Sequence, residues 1–230
     1  MQRVRRAPSE RANDAVFASL RKAILSNDLH PGEQLNVPDL AKRLGVSLTP
    51  VRNAIQLLAA EGLVEVRPRS GTYVARVSVE EVRETFEIRR ALECLAVEKA
   101  ATRGLAGEEL ARLRELLAAL EQPVESEEDR RQHELDNADF HRTLIEAGRN
   151  ARLAAQYATL NAHIQIARIH AADTGWQARL AGERAEHHAI VDALAAGDAA
   201  RAVAAVGTHI DRACNSMLDA LEKREEARAS

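Results

Sequence analysis

Aromatic residues are scarce in this 230-residue chain: three Phe, two Tyr and one Trp make up 3% of it. Sheet proteins draw heavily on aromatic and β-branched side chains, so this scarcity, with Ala and Leu abundant, favours helices. Cysteine is nearly missing too. Cys94 and Cys214 lie far apart in helical patterns, which excludes a disulfide framework or thiolate metal site and reads as buried thiols in a reducing cytosol. No apolar run approaches the ~20 residues that span a bilayer. The start, Met1-Gln2-Arg3-Val4-Arg5-Arg6, lacks the apolar stretch of a signal peptide. A cytoplasmic protein with no membrane partner is expected.

What is present is charge, unevenly placed. The net charge is −3. Residues 1–77 carry 12 Lys and Arg against 7 Asp and Glu, whereas the remainder carries 20 against 28. A basic front and an acidic back suggest that only the front meets a polyanion.

In the front third, Ala15, Phe17, Leu20, Ile24 and Leu25 predict a first helix over 9–26, broken at Asn27-Asp28 and His30-Pro31-Gly32-Glu33. Asn36 is placed to cap a second helix over 38–44, with Pro38 in its first turn and Asp39 three residues on. Ser47 follows the Gly45-Val46 break as the expected N-cap of a third helix, in which Val51, Ile55 and Leu58 repeat until Gly62. Leu63-Val64-Glu65-Val66 then alternates as a strand, Arg67–Gly71 turns, and Thr72-Tyr73-Val74-Ala75 returns. Three helices and a hairpin make a winged helix-turn-helix, and the first turn of the third helix carries polar and cationic side chains that can reach phosphates and base edges.

The blocks His30-Pro31-Gly32-Glu33-Gln34-Leu35, Leu44-Gly45-Val46-Ser47, Thr49-Pro50-Val51-Arg52, Glu61-Gly62-Leu63-Val64 and Arg69-Ser70-Gly71-Thr72-Tyr73-Val74-Ala75 occur in order. In them the front third resembles the winged-helix domain of GntR-type bacterial transcription regulators. The resemblance implies DNA-binding roles for Ser47, Thr49 and Arg52 on the recognition helix, and for Arg69 and Gly71 at the wing tip. Arg52 can clamp a phosphate or fork onto guanine, and Gly71 allows close backbone approach to a minor groove. Arg43 reads either as a further contact or as a solvated face. Two positions depart from the family pattern: Leu48 stands where Arg is common, and Asn53 where Glu is common. Leu48 cannot donate to a base edge but can touch a thymine methyl, so operator preference does not transfer.

Ser78-Val79-Glu80-Glu81 opens the second part. Six helices are expected over 79–103, 107–122, 127–147, 151–172, 177–196 and 199–222, separated at Gly104, Pro123, Gly148-Arg149-Asn150, Asp173-Thr174-Gly175 and Gly197-Asp198. The charged tail over 222–230 is expected to fray. The fold class is therefore mainly α. An N-terminal winged helix-turn-helix domain (1–77) with a small hairpin wing precedes an antiparallel all-α bundle of about six helices (78–230), large enough to hold a pocket.

The chemistry of that bundle lies in its histidines. Asn137 and His141 share a helix face one turn apart. His187 is ten residues before Gly197 and His209 eleven after Asp198. At a rise of ~1.5 Å per residue they stand level, so they can face one another. Three imidazoles and one oxygen make a site for zinc or a similar divalent ion. Taken singly, each histidine reads as a surface or hydrogen-bonded residue before it reads as a ligand; the matched heights are what favour the set. Asp136 lies about 140° around the helix from His141, given ~100° per residue, so Asn137 is the preferred oxygen donor. His188 points away as a surface residue; His133, His163 and His170 find no assigned partner, although His163 or His170 can line a pocket.

In Glu87-Ile88-Arg89, Leu92-Glu93, Asn137, Phe140-His141, Gly148-Arg149-Asn150, Glu186-His187, Ile190, Ala193-Leu194, Gly197-Asp198 and His209, nearly all of residues 79–220 resembles the FCD domain of the FadR branch of GntR regulators. The resemblance implies a metal set of Asn137, His141, His187 and His209, a small organic acid effector, and a homodimeric repressor-type regulator on a palindromic operator. Zinc is the expected cofactor, with nickel or manganese as alternatives. Asn137 is neutral where Asp would be charged, which weakens the hold on a cation but strengthens its attraction for an anionic ligand. Arg89 reads either as an anchor for the effector carboxylate or as a surface ion pair with Glu93 four residues on. A metal-sensing regulator, or a structural metal, is the alternative. A helical metalloenzyme is disfavoured, because His-Glu-x-x-His is missing and no carboxylate stands as a general base.

Overall fold

The computed structural model describes residues 8–76, 78–171 and 176–229. Its elements run α1 (Pro8–Leu25), α2 (Val37–Leu44), α3 (Leu48–Ala60), β1 (Val64–Arg67), β2 (Gly71–Val74), α4 (Val79–Arg103), α5 (Gly107–Leu120), α6 (Glu127–Ala147), α7 (Ala151–Ala171), α8 (Trp176–Ala195) and α9 (Ala199–Ala229). The chain is mainly α, a helix-turn-helix with a two-stranded antiparallel hairpin followed by a helical bundle. Two units result. One runs to Ser78 and takes in Ala162–His170; the other holds Val79–Asn161 and the chain from Ala171. Val77, where the domain boundary was expected, and the break at Asp173-Thr174-Gly175 lie outside the described residues.

In the first unit, Val16, Leu20 and Ile24 recur every fourth residue on α1 and pack with Val51, Ile55 and Leu58 of α3. Asn36 caps α2, its side-chain oxygen accepting from Asp39 N at 3.2 Å. Gly45 ends the helix at φ 65, with Val46 N donating to Ala41 O and Gly45 N to Lys42 O, the paired bonds of a Schellman turn. Ser47 occupies the N-cap position of α3 in extended conformation but makes no side-chain cap bond. The reason is local: the third helical residue is Pro50, which has no N–H to donate.

The hairpin pairs Val64 with Val74 through Arg67 with Gly71, leaving Pro68-Arg69-Ser70 as the turn. Both strands sit one residue off the sequence expectation. The end of the segment read as a simple break at 30–33, with the two residues after it, also lies along β2, through Gly32 N to Val74 O, Val74 N to Glu33 O and Leu35 N to Thr72 O.

In the second unit α4 packs most extensively on α9, and α8 on α9, with α5 on α6 and α6 on α4. Ser126 and Asp129 form a reciprocal capping box that starts α6. Asp198 caps α9 by accepting from Arg201 N at 3.0 Å, after Gly197 has turned the chain at φ 68. The tail expected to fray from residue 222 instead continues α9 to Ala229. None of the described helices is long and apolar enough to cross a membrane.

Gly148 ends α6 against α4. A Cβ there would stand 2.9 Å from Ala96 Cα and 3.1 Å from its carbonyl oxygen, backbone atoms that cannot turn aside. Gly148→Ala is therefore expected to lower the stability of the helical unit by about 1–3 kcal/mol, the usual scale for overpacking. The measurement is the urea midpoint followed by circular dichroism; an unchanged midpoint would show that α4 and α6 can part at no cost.

Candidate metal centre and nucleic-acid interface

Three helices of the second unit bring polar side chains to one buried place. α6 supplies His141, α8 His187 and α9 His209, each 1% exposed. One ring nitrogen from each lies within 4.8 Å of the others. The ring centroids are 5.7 Å apart for His141 and His187, 5.0 Å for His141 and His209, and 4.6 Å for His187 and His209. The tight turn at Gly197-Asp198 sets the last two level across neighbouring antiparallel helices.

Two charged chains lead into this cluster. In one, Arg89 Nε donates to Glu93 Oε1 at 2.8 Å, and Glu93 Oε2 meets His141 Nδ1 at 2.7 Å. In the other, Arg212 Nε donates to Glu186 Oε1 at 2.6 Å, and Glu186 Oε2 meets His209 Nδ1 at 2.9 Å. An ionised carboxylate only accepts, so each Nδ1 carries the proton and each neutral ring presents its Nε2 lone pair. Those two Nε2 atoms face each other at 3.1 Å. Two lone pairs at that distance repel unless a proton or a cation lies with them. Burial pushes the His209 imidazole well below its usual range, helped by His141 and Arg89, and burial does the same to His187. A proton on His209 is thus disfavoured, and a cation held between the two nitrogens would relieve the repulsion.

The remaining donors point the same way. Both ring nitrogens of His187 and Oδ1 of Asn137 are buried with no hydrogen-bond partner among the described residues. Leaving such atoms unsatisfied is costly; the Asn137 oxygen offers its lone pairs, and a neutral His187 offers the lone pair of whichever ring nitrogen lacks the proton. Ligands about 2.0–2.1 Å from a tetrahedral zinc lie a little over ~3 Å apart, close to the separation found between His141 and His209. The donor set therefore fits a divalent cation, with carboxylates orienting two of the imidazoles from behind as in carboxylate–histidine–metal sites.

Arg89 is 1% exposed and Glu93 fully buried, so the ion pair expected at the surface lies inside the bundle. Burial opposes the Arg89 charge, but Glu93, and after it Tyr157, outweigh this and raise its pKa. Arg89 Nη1 has no hydrogen-bond partner among the described residues. The Tyr157 hydroxyl donates to Glu93 Oε1 at 3.1 Å, completing the shell around that carboxylate. A signal for the inward placement was available in the spacing: Val82, Phe86, Arg89, Glu93, Val97 and Ala100 form one buried stripe along α4. Glu186 and Arg212 give no such signal, since they meet only across α8 and α9.

The other candidates fall outside the cluster. Asp136 accepts from Gln132 at 3.0 Å, and exposed His188 is bonded to Glu121 at 2.7 Å. His133 is buried one turn before Asn137 on α6. His163 is half-buried, and the His170 side chain lies outside the described residues.

On the first unit, Ser47, Leu48, Thr49 and Arg52 are all exposed at the start of α3, and Arg43 is exposed on α2. Arg69 is exposed in the hairpin turn at φ 64. Beside it, Gly71 is at φ 136, where a Cβ would stand 2.7 Å from Gln34 Nε2. The turn is braced by Tyr73, whose hydroxyl donates to Ser70 O at 3.0 Å while Arg67 lies over its ring.

Residues 12–74 match the model of the bacterial regulatory proteins of the gntR family, and residues 84–212 match that of the FCD domain. The chain belongs to the GntR family and carries an FCD domain. It is similar to a D-xylose utilization operon transcriptional repressor of Paenarthrobacter nicotinovorans, at 32% identity over 89% of this chain and 90% of that one. It is 36% identical to the transcriptional repressor RspR of Escherichia coli over 41% of this chain, a match spanning only 42% of that relative. The crystal structure of a GntR regulator from Rhodococcus sp. RHA1 superposes with a TM-score of 0.77 at 27% identity, covering 90% of this chain and 97% of that one. These are transcription regulators, not enzymes.

Glu93 is the buried charge on which both Arg89 and His141 depend. Removing it strands an uncompensated guanidinium, so Glu93→Ala is expected to cost about 3–5 kcal/mol of stability. Adding Arg89→Met to that variant is expected to recover part of the loss. Denaturant unfolding of the two variants decides the point: equal losses would mean that the charges are not coupled.

Proposed function

We propose that this GntR-family regulator binds an operator through its winged helix and is governed by a divalent metal ion and a small organic acid held in its helical domain. The observation that carries the reading is the set of three buried imidazoles with converging nitrogens, two of them backed by carboxylates and one with no partner on either nitrogen. His141, His187, His209 and Asn137 would hold the ion. Zinc suits a nitrogen-rich set of low coordination number, with nickel and manganese as alternatives. When bound, the ion offers Lewis-acid positions to the oxygens of an anion. Arg89 supports the same ligand class, because its buried Nη1 is open to a carboxylate while Nε stays on Glu93.

At the DNA end, Ser47, Thr49 and Arg52 present the first turn of α3 to a major groove, while Arg69 and Gly71 bring the wing to the neighbouring backbone or minor groove. Exposed Leu48 offers a methyl contact in place of a hydrogen bond. A homodimer on a palindromic operator is the arrangement that such half-site reading requires. Both relatives are named repressors, which supports repression for this chain.

Arg52→Ala is expected to abolish specific operator binding while the circular dichroism spectrum is unchanged; an unaltered footprint would remove Arg52 from the interface. His187→Ala with His209→Ala is expected to strip the metal. Elemental analysis showing one equivalent per chain in that double variant would reject the site. With metal-free and metal-loaded protein in hand, a library of organic acids screened by thermal shift should stabilise only the loaded form. A metal-dependent change in operator affinity without any acid would instead make the ion itself the signal.

A further inference from the structure

Beside the three imidazoles, one polar contact has no role in the metal set or in the charged chains leading to it. Asn137 Nδ2 donates to Glu183 Oε1 at 2.7 Å, joining α6 to α8. The placement is symmetrical about the cluster: Asn137 is one turn before His141 on α6, and Glu183 one turn before His187 on α8. Glu183 also lies close enough to His187 and Arg89 to act on both electrostatically. The three-nitrogen cluster does not include its carboxylate.

The polarity of this bond is forced. An ionised carboxylate cannot donate, so the amide of Asn137 must turn its nitrogen to Glu183 and its oxygen the other way. That oxygen is the buried Oδ1 with no partner among the described residues. A free asparagine side chain could present either end to a cation, and the nitrogen end would repel it. Glu183 removes that choice. It also returns to the site the negative charge that a neutral asparagine does not bring.

We infer that Glu183 is a further positioning residue of the centre, which orients Asn137 as an oxygen ligand and supplies anionic charge from one bond further out. The inference rests on the metal reading of the three histidines. It assigns this chain a divided ligand, with the donor atom on α6 and the charge on α8, where a single aspartate would hold both.

The test uses the full-length chain, freed of metal by dialysis against a chelator and titrated with Zn²⁺ against a chromophoric competitor. Glu183→Gln removes the charge and the one-way polarity, and Zn²⁺ affinity should fall about tenfold or more, the scale for losing a residue that orients a ligand. Combining Glu183→Gln with Asn137→Asp moves the charge onto the ligand and lets the new amide donate back to it. That double variant should bind Zn²⁺ within a few-fold of the natural chain. A merely structural contact would not show this rescue, and thermal midpoints of all forms record any loss of folding separately. Unchanged affinity in Glu183→Gln overturns the inference, as does a double variant that binds no better than Glu183→Gln. Failure of the natural chain to bind Zn²⁺ overturns the metal reading together with it, whereas binding that ignores Glu183 overturns this inference alone.

Discussion

Glu93 is the residue around which the interior of the helical unit is arranged. Its carboxylate takes Arg89 and Tyr157 on one oxygen and His141 on the other, so three helices meet on a single side chain. Burying two opposite charges costs several kcal/mol of desolvation per ion, and an apolar pair of equal volume often holds a fold as well. Stability is thus a weak account of why a charged pair sits in the middle of the apolar stripe of α4. Orientation is a better one. An acceptor behind His141 sets its tautomer and aims Nε2 at the cluster, and the Arg89 guanidinium behind that acceptor compensates its charge in the interior.

The second chain repeats the logic from the other side. Arg212 neutralises Glu186, which orients His209. The pairing matters because a bare carboxylate would favour a protonated imidazole and so consume the lone pair it had aimed. With an arginine behind each carboxylate, orientation and protonation are separated. Among the described residues His187 has no hydrogen-bond partner, and its ring packs 4.5 Å from that of Phe140. It is the donor whose position depends most on the apolar core, and therefore the one most sensitive to substitutions that bear on Phe140.

Much of the architecture was legible in the sequence, for reasons that can be named. Helix limits followed glycine, proline and capping side chains, and Asn36 and Gly45 do what their positions implied. Equal spacing from the Gly197-Asp198 turn sufficed to bring His187 and His209 to one level, since helical rise is constant. The misreadings came where a neighbour intervened. Ser47 fails to cap because Pro50 lacks the N–H that a serine would accept, a conflict between two local rules that each favour a helix start. Of the two alternatives for Arg89, an effector anchor or an ion pair with Glu93, the second was placed at the surface because charge was weighed above register, although the spacing set both residues on the inward stripe. Glu186, Arg212 and Glu183 were beyond reach: each acts on a residue of another helix, and periodicity describes only one helix at a time.

The geometry of Arg89 also bears on how an anion and a cation could share this interior. A guanidinium has donors on three nitrogens in one plane, and here Nε is committed to Glu93 while buried Nη1 has no hydrogen-bond partner among the described residues. An arriving carboxylate can therefore engage Nη1 without taking Nε from Glu93, and His141 keeps its orientation. Were the arginine to swing away instead, Glu93 would lose its compensation, and the charge released would fall directly on His141. On the proposed function the two ligands are then coupled through one carboxylate, and by linkage the coupling must be equal in both directions. The helix that carries both residues, α4, begins at Val79, five residues beyond the end of β2 at Val74. The chain thus places this buried charged pair on the element that follows the wing directly in sequence.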